Sequence, residues 1–277
     1  MELATVTPTV SVVMAVRDGA RWLSDAIGSV QAQSYQDWEL IVIDDGSTDE
    51  TPHLLAIHAQ RPQLRDRMEV VTLPESRGLA HALNIGIRRG ACARVQGGRI
   101  VRARPAPLIA RLDADDWMKP TRLERQVRYL AEHPAVGLLG TAILEVDEHG
   151  DVRRHVFPAL RDADLRRSLI RRNPLAHSSV VFRRWVWARV GGYDEGYPVA
   201  QDLDLWLRMA PLTQMANLAE CLTVRRLHPG QVSARRRAMR RWMEARARWR
   251  AIRAGTHSAL ALPWVLRPLV GLAVRAS

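Results

Sequence analysis

Lysine is almost absent from this chain: of 41 basic residues only Lys119 is lysine, and the rest are arginines. Cysteine is nearly as scarce. Two residues, Cys92 and Cys221, cannot build a disulfide framework and have no metal-ligand spacing, which fits a reducing interior. No window reaches the roughly 18 unbroken apolar residues of a spanning helix. The opening MELATVTPTV lacks the basic-then-apolar layout of a secretory signal. These absences exclude a disulfide-stapled scaffold and a transmembrane bundle. They lead us to expect a soluble, cytoplasmic chain, held at most at the inner face of a membrane.

What is present is ample for a core. The chain has 277 residues, 47% of them apolar, enough for one large domain or two small ones. The formal net charge of +12 suggests an anionic partner. So lopsided an arginine-to-lysine ratio reads instead as coding bias. The surplus is also concentrated: Ser233 to Arg253 holds nine arginines and one acid, Glu244.

TVSVVMAV (9–16) is a continuous apolar, β-branched run, as in a strand buried on both faces. Trp22, Leu23, Ala26, Ile27 and Val30 follow at helical spacing. ELIVI (39–43), MEVVTL (68–73) and LIARL (108–112) read as further strands. Between the last two, SRGLAHALNIGIRRG reads as a helix with Gly90 as its C-cap. Strands alternating with helices predict right-handed crossovers and a mostly parallel sheet in an α/β fold. Residues 91–107, with Gly-Gly, two prolines and four arginines, read as a loop: a surface insertion or a basic flap near the nucleotide site. Beyond Pro120 we expect a helix from Thr121 to Pro134, two strands joined at DEHGD, and helices at LRDADLRRSLIRRN and DLDLWLRMA. The expected organisation is a first half (1–117), a smaller second half (118–232) and a basic amphipathic tail (233–277).

In an open parallel sheet, ligands bind beyond the carboxyl ends of the strands. Two acidic clusters fall there. DDGSTDET places Asp44 and Asp45 at a strand end, where a carboxylate can accept hydrogen bonds from a base N–H or ribose hydroxyls. Positions 46–50 also read as a capped helix start, with Ser47 or Thr48 as N-cap. LDADDW puts Asp113, Asp115 and Asp116 within four positions. Alternate residues point the same way, so Asp113 and Asp115 converge, and converging carboxylates need a cation between them. Magnesium or manganese bridged to a diphosphate would supply it. Asp113 reaching the ribose while Asp115 takes the metal is equally compatible with the spacing. Asp202 and Asp204 open an amphipathic helix. Read alone, His177 and His228 are loop residues.

These stretches together resemble glycosyltransferase family 2, the inverting nucleotide-sugar transferases of GT-A fold. The resemblance covers about Thr9 to Arg236. It is carried in order by VSVVMAVRDGARWLSDAIGSVQAQSYQDWELIVIDDGSTDET, ESRGLAHALNIGI, LIARLDADDW, NPLAHSSVVFRR, GGYDE, QDLDLWLR and RLHPGQVS. It implies that Asp44 and Asp45, with Ala15 and Val16, hold the nucleotide base and that Arg77 and Gly78 lie beside the nucleotide. Asp113 and Asp115 match the DxD that binds metal and diphosphate, and Asp202 matches the catalytic base. His228 and Gln231 match an element closing over the diphosphate and acceptor side. His228 is then a further candidate metal ligand, and His177 joins Gln231 on the acceptor side. Two features depart from the family: Gln201 replaces the usual acid before the base, and the 91–107 segment is longer than usual.

The expected activity is metal-dependent transfer from a UDP- or dTDP-type sugar to a glycan or lipid-linked acceptor, in envelope polysaccharide or glycoconjugate synthesis. No second carboxylate is placed as a nucleophile, which disfavours double displacement. A nucleotidyltransferase would carry a glycine-rich basic loop after the first strand, where this chain reads VRDGARW. A nucleic-acid-binding protein would not place bare carboxylates at the strand ends. An inactive nucleotide-binding relative is the reading that Gln201 and the insertion motivate. In the tail, Trp242, Trp249 and Trp264 among arginines allow either a solvated helix or contact with an anionic membrane.

Overall fold

The computed structural model describes residues 9–90, 94–96, 99–101, 105–231 and 236–256, together with 263 and 265. Ser233, Trp264 and, apart from 263 and 265, the rest of the expected tail past 256 lie outside the described residues. The first half builds as expected. β1 (Val10–Val16), β2 (Trp38–Asp44), β3 (Met68–Thr72) and β6 (Leu108–Arg111) alternate with α1 (Ala20–Gln31), α2 (Thr51–Gln60) and α3 (Leu79–Arg89). Their order across the sheet is β3-β2-β1-β6, all parallel, so β2 and β3 are added on one side of β1 and β6 on the other. That is the topological switch point at which a crevice opens.

One sheet of nine strands continues through both expected halves. Beyond β6 come β10 (Val181–Arg183), β8 (Val136–Val146), β11 (Gln214–Arg226) and β7 (Trp117–Met118), with β9 (Val152–Val156) also paired to β8. β10 is antiparallel to both its neighbours, whereas β11 runs parallel to β8. α4 (Arg122–Glu132), α5 (Asp162–Leu169), α6 (Arg184–Arg189), α7 (Gln201–Met209) and α8 (Arg237–Arg253) cover the sheet. Period-two alternation along β1 feeds two cores. Val10, Val12, Met14 and Val16 pack with α1, α2 and α4, while Val13 faces α3, α5, α7 and α8.

Three local readings are revised, and Gly90 caps α3 as expected but for a different reason. The 91–107 segment is not plain loop: β4 (Arg94–Gln96) and β5 (Arg99–Val101) form an antiparallel hairpin. Gly90 ends α3, but with φ −57 rather than in the left-handed region. Its reason is space, since a Cβ there would lie 2.7 Å from Ser11 Oγ and 2.9 Å from Ile41 Cδ1. α2 starts at Thr51, and Ser47 and Thr48 are tied to Asp18 instead of capping it. β11, 13 residues long, has no counterpart in the sequence reading.

Candidate functional site

The parallel strands β2, β1 and β6 end at one edge of the sheet, and the acidic clusters sit on those ends. Asp44 closes β2 with no exposed surface. Its Oδ1 accepts the Ser47 N–H at 3.0 Å, while its Oδ2 is buried without a partner. An unpaired buried acceptor costs about 1–3 kcal/mol, and this one is left open to a donor group. Asp45 does different work. Its carboxylate accepts from Ser76 Oγ (2.8 Å), Arg77 N–H (2.8 Å) and Gly78 N–H (3.0 Å). It holds the loop that carries the exposed Arg77 to the head of α3. Gly46 makes the turn between them at φ +69, where a Cβ would come within 2.7 Å of the Glu75 carbonyl carbon. Beside them the β1 end is half-buried at Ala15 and buried at Val16, whose carbonyl accepts the Asp45 N–H.

Beneath the second cluster lie two arginines that the sequence reading passed over. Arg111 is fully buried. Its Nη1 donates to the carbonyls of Val13 (2.8 Å) and Leu112 (2.6 Å), its Nη2 to Asp113 Oδ1, and its Nε to His177 Nε2 at 3.3 Å. Burial alone would raise the Asp113 carboxyl, but the charge and hydrogen bond of Arg111 outweigh it and hold that carboxyl below its usual value. Arg122, also fully buried, donates to the carbonyls of Ser178 (2.8 Å) and Arg111 (2.9 Å). Burial and the neighbouring Arg111 pull it down to about 9. Buried charges are expected only where they are paired or fully hydrogen-bonded: Arg111 has Asp113, and Arg122 is satisfied by carbonyls and by Gln126 Oε1 at 3.0 Å.

Asp115 Oδ2 and His228 Nε2 lie 3.0 Å apart. The His228 ring packs on Trp22, centroids 4.2 Å apart. Arg226 locks the end of β11 to this turn: its backbone N–H donates to Asp116 Oδ1 at 2.9 Å and its Nε to the Asp115 carbonyl at 3.3 Å. Asp116 is buried, and burial plus the charges of Asp115 and Asp113 raise its carboxyl well above the usual range. Gln231 Nε2 donates to the Arg226 carbonyl at 2.5 Å.

A carboxylate-and-imidazole pair at these strand ends suits magnesium or manganese, which take one or two protein ligands plus phosphate oxygens. Among the described residues no group of three or more His, Cys, Asp or Glu is arranged to hold a metal alone. Asp115 and His228 therefore fit the group as a pair, and Asp113 comes already joined to Arg111.

His177 is drawn inward. Its Nε2 also lies 2.8 Å from Tyr193 Oη, and burial and Arg111 push the imidazole down to about 3. Burial raises the Tyr193 phenol. Asp202 opens α7 after Ala200, which takes a left-handed φ of 59. Asn173 Nδ2 donates to its Oδ2 at 2.6 Å. Burial first, then the charges of Glu244 and Asp113, raise Asp202 to about 6. Asp113 and Asp202 thus share one electrostatic neighbourhood. Gln201, where an acid was the expectation, is neutral and buried. Arg111, Arg122, Asn173 and Tyr193 escaped the sequence reading; the only available signal was arginine inside an apolar strand, in LIARL.

The profile of Glycosyl transferase family 2 matches residues 11–188. The amylovoran biosynthesis glycosyltransferase AmsE of Erwinia amylovora is 32% identical over 215 residues, 77% of this chain and 74% of that one. The O-antigen biosynthesis glycosyltransferase WbnJ of Escherichia coli is 29% identical, covering 79% of this chain and 80% of that one. Among solved structures, Staphylococcus aureus TarS 1–349 in complex with UDP-GlcNAc superposes with a TM-score of 0.67 at 15% identity. The match takes in 86% of this chain but 66% of that one, so this chain spans about two thirds of the TarS 1–349 segment. The mannosyltransferase PcManGT from Pyrobaculum calidifontis, in complex with GDP-Man and Mn2+, gives a TM-score of 0.64 at 22% identity over 98% of this chain and 76% of that one. These neighbours carry the GT-A fold, and the sheet order above is the same mixed, mostly parallel arrangement. From the profile match and the curated relatives together, this chain belongs to glycosyl transferase family 2.

Proposed function

We propose that this protein transfers a sugar from a nucleoside-diphosphate donor, of UDP or dTDP type, to a hydroxyl of a glycan or lipid-linked acceptor, with inversion at the anomeric carbon. The observation that carries this reading is the shared neighbourhood of Asp113 and Asp202, with Asp202 raised to about 6. A base poised near neutrality, beside the acidic strand ends, is what a weak hydroxyl nucleophile needs.

In this reading Asp44 Oδ2 receives a base N–H, and the Asp45-braced loop sets Arg77 and Gly78 along the nucleotide. Asp115 and His228 would hold the divalent cation, which supplies charge compensation to the diphosphate when bound. Asp202 accepts the proton of the acceptor hydroxyl as its oxygen bonds to the anomeric carbon. The bond from that carbon to the diphosphate oxygen breaks in the same displacement, and the nucleoside diphosphate leaves with the electron pair. General-base assistance of this kind is worth roughly 10²–10⁴-fold. Arg111 fixes Asp113 beneath the diphosphate and keeps His177 neutral, so His177 supports the acceptor side from below instead of contacting it. Gln231, at the β11 end, braces the closing element.

The division of labour follows the sequence halves, with 1–117 binding donor and 118–232 supplying base and acceptor surface. Two curated relatives are named for amylovoran and O-antigen biosynthesis, which supports an envelope polysaccharide or glycoconjugate product and work on the cytoplasmic side. The test is incubation with a panel of nucleotide sugars, Mn2+ and candidate acceptors. Release of free nucleoside diphosphate with an inverted glycoside is the expected result. Pyrophosphate release would instead identify a nucleotidyltransferase, and binding without turnover an inactive relative.

A further inference from the structure

The arginine-rich helix α8 has two unlike faces. Its inner face packs beside α7 and is structural, with Met243, Ala247 and Ala251 buried in the same core as Trp206. Arg248 is buried there, donating to the Leu169 carbonyl at 3.1 Å and to Glu244 at 3.2 Å. Arg250 pairs with Asp194 at 2.7 Å, and Arg246 lies over the Tyr197 ring at 4.8 Å. These contacts revise the simpler expectation of a solvated helix, because much of the charge is spent inside the protein.

The outer face is the unexplained part. Met239, Trp242 and Trp249 are 42%, 51% and 46% exposed, a high value for side chains of this size. Trp242 and Trp249 are seven residues apart, so they project from nearly the same side of the helix about 10 Å apart along its axis. Arg253 projects from the same side of the helix, and Arg236, Arg237 and Arg241 flank it toward the amino-terminal end; none of the four has a side-chain partner among the described residues. The lone acid of the helix, Glu244, is turned to Arg240 and Arg248. A solvated helix would have no use for two exposed indoles. A protein partner would more commonly be met by an aromatic patch with mixed charge at its rim. Indole rings flanked by unpaired guanidinium groups match the interfacial zone of a bilayer, where the rings sit at headgroup depth and the cations meet anionic lipid.

We propose that the outer face of α8, through Met239, Trp242 and Trp249 and the free arginines around them, docks on the surface of an anionic lipid bilayer. This goes beyond the transfer reaction and stands without it. It also orients the enzyme: α8 packs against α7, which carries Asp202, so docking would set α7 one helix layer behind the headgroups.

The experiment uses the full chain and sedimentation with vesicles of phosphatidylcholine alone or containing phosphatidylglycerol. The expected result is binding to the anionic vesicles, weak binding to the neutral ones, loss in high salt and a blue shift of tryptophan emission. Trp242→Ala/Trp249→Ala should abolish the blue shift and most of the binding. Replacing Arg237, Arg241 and Arg253 by Gln should weaken binding by roughly fivefold per charge. Both variants should keep the wild-type melting curve and nucleotide affinity, which separates failure of docking from failure of the fold or the donor site. Equal binding to neutral vesicles, no binding to either, or full binding by the double Trp variant overturns the proposal. So does self-association through the same residues by light scattering, or displacement of the protein from anionic vesicles by equimolar nucleic acid.

Discussion

Arg111 Nε lies 3.3 Å from His177 Nε2, and because a guanidinium only donates, the contact fixes that ring nitrogen as an acceptor and the imidazole as neutral. The same arginine binds Asp113 and the Val13 carbonyl, so one buried cation joins the DxD turn, the central strand and the acceptor-side loop. Removing it leaves a carboxylate and two carbonyls without their donor. Arg111→Leu is expected to cost about 3–5 kcal/mol, as for other buried pairs broken on one side. Urea unfolding reads this directly, and a loss below 1 kcal/mol would show that the network is dispensable.

Holding His177 down to about 3 makes the fold acid-sensitive. The unfolded chain takes up this proton near pH 6.5 and the folded one does not. Stability is therefore fully present above pH 6.5 and is lost as pH falls from there toward 3, by at most about 1.4 kcal/mol per unit. His177→Asn keeps an acceptor for Arg111 but cannot titrate. Its unfolding free energy should fall less steeply over that window than that of the wild type; identical slopes would refute the assignment.

Asp202 carries the opposite sign. Its carboxyl is raised to about 6, so between pH 4 and pH 6 the unfolded chain has released a proton that the folded one keeps. That contribution favours folding at low pH and fades as pH rises through 6. Asp202→Asn should melt higher than the wild type at pH 8, with the gap closing below pH 4. Transfer should drop by two orders of magnitude or more while nucleotide binding is kept. In the wild type, kcat should fall on the acid side with a midpoint near 6. A variant that turns over normally would remove Asp202 from the chemistry.

Much of this was legible in the sequence, for identifiable reasons. β1 and β2 are buried on both faces and so read as unbroken apolar runs. Asp44 and Asp113 follow such runs directly, which marks them as strand-end carboxylates. β11 was invisible because its register shifts at Met215, Cys221 and Thr223 break the two-residue alternation. With it went the physical reason His228 reaches Asp115. Arg111 was hidden by the same logic in reverse: an arginine in LIARL counts as an interruption until its four partners are seen. Nor does spacing distinguish Asp44, with its unpaired oxygen, from Asp45, whose carboxylate is spent on bracing residues 76–78.

That unpaired Asp44 Oδ2 makes a direct prediction for the donor site. Asp44→Asn keeps the shape and can keep the acceptor toward Ser47, but presents an N–H₂ where a base N–H would arrive. Nucleotide affinity should weaken by about 1–3 kcal/mol, roughly 5- to 150-fold, with little change in melting temperature. Titration calorimetry with UDP and dTDP measures it. Unchanged affinity would move the base elsewhere along the crevice.

The packing of Trp22 on His228, 4.2 Å between ring centroids, supplies a reporter for the cation. Mn2+ is paramagnetic and quenches nearby indole emission, so titration in the presence of a nucleoside diphosphate should quench part of the tryptophan signal, and chelation should restore it. Trp22→Phe should lose that component while keeping metal-dependent transfer. His228→Ala and Asp115→Asn should each weaken Mn2+ by at least about tenfold, the lower end of what losing even a supporting partner of a metal ligand costs. Asp113→Asn should affect Mn2+ less than Asp115→Asn does, because Asp113 is already joined to Arg111. The reverse ranking would make Asp113 the principal ligand and Asp115 its support.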